Sequence, residues 1–206
     1  MITGVAFDLD GTLWDATCSI WYSWGKRLNK TDLDYELVKA CMGAPADKIA
    51  GALGVSEEEF ARMQKEELAD LDEVVPQIYD GVQAVLYGLK QLGLQIYIVS
   101  SCQEGYIEKF LKHSELPRYL IDGCFYDGYP AKSKQLNLKY IRDNLAGEVV
   151  YIGDTSRDRD VAKSAGFPFI WASYGFGENV AKWGDWVIDD IRQLPAMLRR
   201  WGYLDV

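Results

Sequence analysis

Short apolar runs that end in acidic, serine or glycine residues punctuate the chain. Ile2–Leu9 comes first, and similar runs recur much later at Leu94–Ser100, Val149–Ile152 and Phe167–Ala172. Apolar runs of about four to eight residues bounded by turn formers predict buried strands. Weaker runs of the same kind lie near Ile121–Phe125 and Trp186–Ile188. Between the later runs the apolar spacing becomes helical, over Val82–Leu92, Glu104–His113, Ser133–Leu145 and Arg159–Ala165. Gly93 and Gly166 follow the first and last of these, where a helix is expected to stop. Strand alternating with helix predicts a parallel sheet covered by helices on both faces.

Residues 15–80 break that rhythm. No strand pattern stands out there, but helical stretches run from about Ala16 to Leu28 and from about Asp34 to Met42, and a third opens at Ser56. Ser56 and Glu59 have the spacing of a capping box ahead of a long charged helix. The expected architecture is therefore α/β, a Rossmann-like doubly wound parallel core made from residues 1–14 and 81–206. Residues 15–80 form a small all-α insertion that caps it. An insertion directly after the first strand lies above the carboxyl ends of the sheet, where α/β proteins bind ligands.

Composition narrows the function. With 206 residues, one core carrying a smaller insertion is expected; hydrophobic residues make up 49% and charged ones 26%, as in a globular protein. A net charge of −9 argues against nucleic acid. It leaves room for a phosphorylated metabolite, because one metal ion and one lysine reverse the sign locally. No run approaches a membrane span, and the opening MITGVAFDLD has neither the basic start nor the apolar stretch of a signal peptide. The four cysteines (Cys18, Cys41, Cys102, Cys124) form no CxxC pair, so they read as free thiols, and a cytoplasmic enzyme is expected.

Candidate chemistry sits at the ends of the strands. In Phe7-Asp8-Leu9-Asp10-Gly11-Thr12, two carboxylates two residues apart close the first strand and precede a turn-forming glycine. An Asx turn would use the same residues without function. Ile152-Gly153-Asp154-Thr155-Ser156-Arg157-Asp158 closes a later strand, with Asp158 either capping the next helix or facing the crevice. Acidic groups at two strand ends offer the oxygen ligands that Mg²⁺ requires. Ser100 ends the strand YIVS and is able to donate to a phosphoryl oxygen. Lys134, with Lys132 as its rival, is placed to neutralise phosphate charge.

The order of these signals resembles the haloacid dehalogenase superfamily, specifically its phosphatases with a helical cap, over nearly the whole chain from Val5 to about Asp190. The resemblance implies a sheet order of 3-2-1-4-5 and, residue by residue, a set of roles. Asp8 is the expected nucleophile, forming an aspartyl phosphate, and Asp10 the general acid and base. Asp8, Asp154 and the Asp10 carbonyl are expected to hold Mg²⁺. Ser100 and Lys134 are expected to bind the phosphoryl group, with Thr12 fixing the loop beside it. Asp158 is expected to reach the metal through water or to orient Lys134. The segment Tyr129-Pro130-Ala131-Lys132-Ser133-Lys134 lacks the common Lys-Pro-x-Pro form of the family. An acid at Asp10 fits a phosphatase rather than a dehalogenase or phosphonatase. Activity on small phosphate monoesters, phosphoglycolate-phosphatase-like, follows as an expectation. A phosphomutase on the same scaffold is the alternative, and a receiver-like phosphoacceptor module is a more distant one.

Other features carry less. His113 suits a helix C-terminus as a structural residue. Trp14, Trp21, Trp24 and Tyr22 read as cap core rather than a substrate-facing wall. Gly43-Ala44-Pro45 resembles a cap loop that dips toward substrate, and Tyr174-Gly175-Phe176-Gly177 is expected to border the site. Neither the substrate's identity nor the oligomeric state is readable.

Overall fold

A computed structural model describes residues 1–145, 147–177, 186–200 and 202–203. Its centre is a six-stranded sheet. The strands are β1 (Gly4–Phe7), β4 (Gln95–Val99), β5 (Gly123–Phe125), β6 (Val149–Gly153), β7 (Phe169–Ala172) and β8 (Val187–Ile188), and every pair is parallel. The spatial order is β5-β4-β1-β6-β7-β8. With core strands counted along the chain this is 3-2-1-4-5, with β8 added as a sixth at the edge. β1 therefore lies mid-sheet, and its carboxyl end is where the order reverses.

Alternation along the strands explains why both faces are covered. Val5 and Phe7 point into one apolar cluster, with Val85 and Leu89 of α5 (Val82–Gln91), Phe110 of α6 (Tyr106–His113) and Leu198 of α9 (Leu194–Arg200). Ala6, Tyr97 and Tyr151 point into the other, with Leu138 and Ile141 of α7 (Lys134–Asn144) and Ala162 of α8 (Ser156–Ala165). A strand buried on both faces reads as a continuous apolar run, which is why the sequence exposes it. Helix ends agree with the predicted stops: Gly166 caps α8 in the left-handed region, φ 81°, which a glycine adopts without a Cβ clash.

Between β1 and α5 the chain forms α1 (Thr17–Leu28), α2 (Tyr35–Cys41), α3 (Ala46–Leu53) and α4 (Glu57–Asp70). Asp34 and Ser56 cap α2 and α4, accepting from Glu36 N and Glu59 N. Two features differ from expectation. α3 is an additional helix, entered through Pro45 and ended by Gly54 at φ 72°. And the segment is not strand-free: β2 (Trp14–Asp15) pairs antiparallel with β3 (Gln77–Ile78), tying its two ends together. Two-residue strands are too short to leave a periodic signal. Trp24 packs edge-on against Phe60 at 5.6 Å, and Trp21 donates to the Leu33 carbonyl at 2.7 Å, so these rings do build the core of the helical segment. Trp14 belongs instead to the main core, against Tyr106 and Phe110. No helix among the described residues is long and apolar enough to cross a membrane.

Candidate active site

Three adjacent parallel strands deliver the site. Asp8 follows β1, and its N–H continues the ladder to the Ile152 carbonyl at 2.8 Å, so it lies alongside the end of β6. Asp154 follows β6, and Ser100 follows β4 on the other side of β1. Lys134 opens α7, the helix after β5; Ser133 caps that helix by accepting from Leu136 N. The structure brings Lys134 to Asp8, whereas Lys132 is exposed.

Lys134 Nζ lies 2.8 Å from Asp8 Oδ1 and 2.5 Å from Asp158 Oδ1, and all three groups are buried. Asp158 makes contacts on both of its carboxylate oxygens. As the third residue of α8 it completes a capping box with Thr155, whose hydroxyl and N–H donate to Oδ2 at 2.5 and 3.0 Å. Its other oxygen holds Lys134, and Tyr151 Oη also donates there at 3.2 Å. Burial works against the charge of Asp158, but Lys134 and the Thr155 hydrogen bonds outweigh it and hold the carboxyl below its usual range. Burial also opposes the charge of Lys134, yet Asp158 and Asp8 keep it above the ordinary lysine value.

For Asp8, despite its contact with Lys134, and for Asp154 the balance falls the other way. Burial, then the charge of Asp158, pushes both upward, Asp154 to about 7. Asp154 Oδ2 accepts from Phe176 N at 2.7 Å, but its Oδ1 is buried with no hydrogen-bond partner. One oxygen from each of Asp8, Asp154 and Asp158 can be chosen so that all lie within 4.8 Å of one another. Three buried carboxylates facing one ammonium leave negative charge uncompensated, and one orphaned oxygen points to a missing partner. A hard divalent cation fits both the charge and the all-oxygen donor set.

Close backbone packing fixes Asp154. A Cβ on Gly11, at φ 77°, would collide with its carboxylate, and one on Gly175 or Gly177 would also run into Asp154. The Tyr174–Gly177 loop thus supports Asp154 directly, and Tyr174 Oη also donates to the Thr12 carbonyl at 2.8 Å. Thr12 itself is fully buried, with an unpartnered hydroxyl, outside the residues lining the cavity described next.

A cavity of about 140 Å³ opens over the strand ends, touched by Asp8, Asp10, Ser100 and Lys134 from below. Gly43 and Ala44 of the helical segment line it, as anticipated for that loop, and Gly43 approaches Thr155 so closely that a Cβ would come within 2.8 Å of its methyl. Trp24 combines the two roles weighed for it, being buried in the helical segment and lining the cavity.

Asp10 is held separately from the acidic cluster. Its Oδ1 accepts from Trp14 Nε1 at 2.7 Å and Tyr106 Oη at 3.0 Å. Burial raises its pKa to about 6 against the lowering effect of those two donors, near the range suited to proton transfer at neutral pH. Neither Tyr106 nor Trp14 was identified from sequence as a partner of Asp10, because an aromatic residue near an apolar run reads as core. Glu67, buried in the cavity wall, was also missed. Its signal was present: it lies seven residues after Phe60 and four after Met63, on the buried stripe of α4.

Comparison with known proteins agrees with the geometry. The family model for haloacid dehalogenase-like hydrolases matches residues 5–172. A phosphoglycolate phosphatase from Vibrio parahaemolyticus is 26% identical over 92% of this chain and 93% of its own. The tyrosine-protein kinase PtkA of Mycobacterium tuberculosis is 26% identical over 84% of this chain, which spans 62% of that longer protein. The crystal structure of a haloacid dehalogenase-like family hydrolase from Streptococcus pneumoniae superposes with a TM-score of 0.78 at 22% identity, covering 95% of this chain and 97% of that one. With a family model matched over most of its length, the chain belongs to the haloacid dehalogenase-like hydrolase family.

Proposed function

We propose that the protein hydrolyses small phosphate monoesters with the help of Mg²⁺, through a phosphoryl group carried transiently on Asp8. The observation that carries this reading is the convergence of Asp8, Asp154 and Asp158 around Lys134, with Asp154 Oδ1 left unpartnered. Asp8, Asp154 and the Asp10 carbonyl would hold the ion. Bound there, it would offset charge on the transferring phosphoryl oxygens.

The chain's own residues supply the remaining steps. Asp8 attacks phosphorus, splitting one hydrolysis into two displacements. Lys134 and Ser100 bind phosphoryl oxygens, and Lys134 is kept in place by Asp158. Asp10 gives a proton to the departing alkoxide and then takes one from the attacking water. Thr12 fixes the loop that carries Asp10 through its backbone, whose carbonyl accepts from Tyr174 Oη. Residues 15–80 act as a cap whose Gly43–Ala44 loop and Trp24 close the cavity and exclude water. The oxygen-only donor set supports Mg²⁺ over zinc, which favours histidine and cysteine ligands.

The test is metal dependence with a ligand variant. Turnover of a small phosphate monoester is expected to vanish in EDTA and return with Mg²⁺. Asp154→Ala is expected to lower kcat/KM by about 10²-fold or more at saturating Mg²⁺. Undiminished turnover under either condition would contradict the assignment.

A further inference from the structure

The wall of the cavity contributed by residues 15–80 has a definite chemistry. Ile20 and Trp24 come from α1, Ile49 from α3, and Phe60, Gln64 and Glu67 from α4. No lysine, arginine or histidine of this segment reaches the cavity among the described residues. The core contributes two cations. Lys134 is committed to Asp8 and Asp158; Arg157 is exposed and also lines a second, more open groove beside Glu36 and Asp160. Glu67 is only 5% exposed. Its Oε2 accepts from Trp24 Nε1 at 3.0 Å, and its Oε1 has no hydrogen-bond partner among the described residues.

We propose that the cavity selects phosphate esters of small uncharged polyols, and disfavours esters whose alcohol carries a carboxylate, phosphoglycolate included. Glu67 and Gln64 receive the hydroxyl groups, while Trp24 and Phe60 cover the carbon skeleton. This rests on the hydrolytic reading above for the chemistry, but its own ground is the wall. A substrate carboxylate would leave water for a wall whose residues 15–80 offer no cation, only the neutral donors of Gln64 and protonated Glu67, which replace its hydration incompletely. A hydroxyl has a partner in either state of Glu67. Burial raises the Glu67 pKa to about 8, so at neutral pH it is largely the neutral acid, able both to donate and to accept. That neutrality also separates a polyol from an aminoalkyl ester, which would want a full negative charge. Size limits the alcohol to a few carbons, since the space of about 140 Å³ also holds the phosphoryl group over Asp8, Ser100 and Lys134, and an apolar cavity of about 150 Å³ takes up benzene.

The test compares glycerol 3-phosphate, 2-phosphoglycolate and phosphoethanolamine on the wild-type protein. Turnover is followed with Mg²⁺, and binding is followed by calorimetry in EDTA, which reads recognition without turnover. Glycerol 3-phosphate is expected to lead phosphoglycolate by at least about tenfold in kcat/KM and to bind more tightly. Glu67→Lys is expected to close that gap by about tenfold. Glu67→Gln, similar in size and uncharged, is expected to keep the polyol preference and guards against a folding failure in the lysine variant. Phosphoglycolate equalling or surpassing the polyol ester would overturn the proposal, as would phosphoethanolamine ranking first, or a folded Glu67→Lys variant with unchanged preference. Polyol-first binding with no turnover of any ester would sustain the recognition claim and remove the hydrolytic one.

Discussion

Asp8 and Asp10 carry the same side chain two residues apart, and their surroundings separate them. Asp8 meets Lys134, while both donors to Asp10 converge on Oδ1, leaving Oδ2 without a partner among the described residues. Tyr106 is thus a positioning residue for proton transfer. Tyr106→Phe keeps the ring and removes the 3.0 Å hydrogen bond. It is expected to lower kcat on an alkyl phosphate about tenfold, the scale of a hydrogen bond to a charged group, with KM little changed. An aryl phosphate, whose leaving group needs little protonation in the first step, should lose much less. Equal losses on the two esters would show that Tyr106 acts elsewhere. At this scale the sequence was legible where chemistry came as a motif, as in Asp8-Leu9-Asp10-Gly11, and in part where spacing to a helix start favoured Lys134 over its rival Lys132. Tyr106 was illegible because its role depends on a contact across 96 positions.

The helical elements show a second kind of legibility. α1, α2 and α4 announced themselves by apolar spacing and by the caps Asp34 and Ser56. α3 did not, because Gly43-Ala44-Pro45 reads as an interruption, and only Ile49, Ala50 and Leu53 mark its buried face. α4 misleads differently: its charged composition suggests a solvated helix, yet it buries Glu67 against Trp24 of α1. Burial is the largest cause of the raised Glu67 pKa, about 8 against the usual 4.5 of a glutamate. The folded state therefore holds a proton that the unfolded chain releases between those values. Stability contributed by Glu67 is present below about pH 4.5 and lost as pH rises toward 8. Glu67→Gln keeps an acceptor for Trp24 but cannot ionise. Thermal melts are expected to show it gaining on the wild type as pH rises through that window. Parallel melting curves at every pH would refute the buried ionisation. The comparison between variants matters because Asp10 and Asp154, raised to about 6 and 7, titrate in the same range.

For the whole molecule, sheet topology does most of the positioning. The reversal of strand order at β1 puts Asp8, Ser100 and Asp154 on three neighbouring strand ends. That much followed from apolar runs and family resemblance, because buried parallel strands have no polar alternation to disguise them. The edge strand β8 showed only as the weak run at Trp186–Ile188 and the β2–β3 ribbon not at all, since two-residue pairings are decided by neighbours rather than by their own sequence. Residues 15–80 cover the strand ends, with Gly43 against Thr155 and a small cavity beneath. A folded phosphoprotein would have to bring its phosphorylated side chain past Trp24 and the Gly43–Ala44 loop to reach Asp8. Its kcat/KM is expected to fall at least about 10²-fold below that of a small monoester. Comparable rates on the two would mean that the helical segment does not govern access.

The central claim is that Asp8 bonds to phosphorus while Asp10 moves protons, and one trapping experiment addresses it. Wild type, Asp8→Asn and Asp10→Asn are mixed with an aryl phosphate and Mg²⁺, quenched in acid, digested and weighed by mass spectrometry. In Asp10→Asn the first displacement should proceed while attack by water slows about 10²–10⁴-fold, so a phosphorylated peptide containing Asp8 should accumulate. Asp8→Asn should show neither that peptide nor turnover. Absence of the phosphopeptide from Asp10→Asn, or turnover surviving in Asp8→Asn, would contradict the assigned roles.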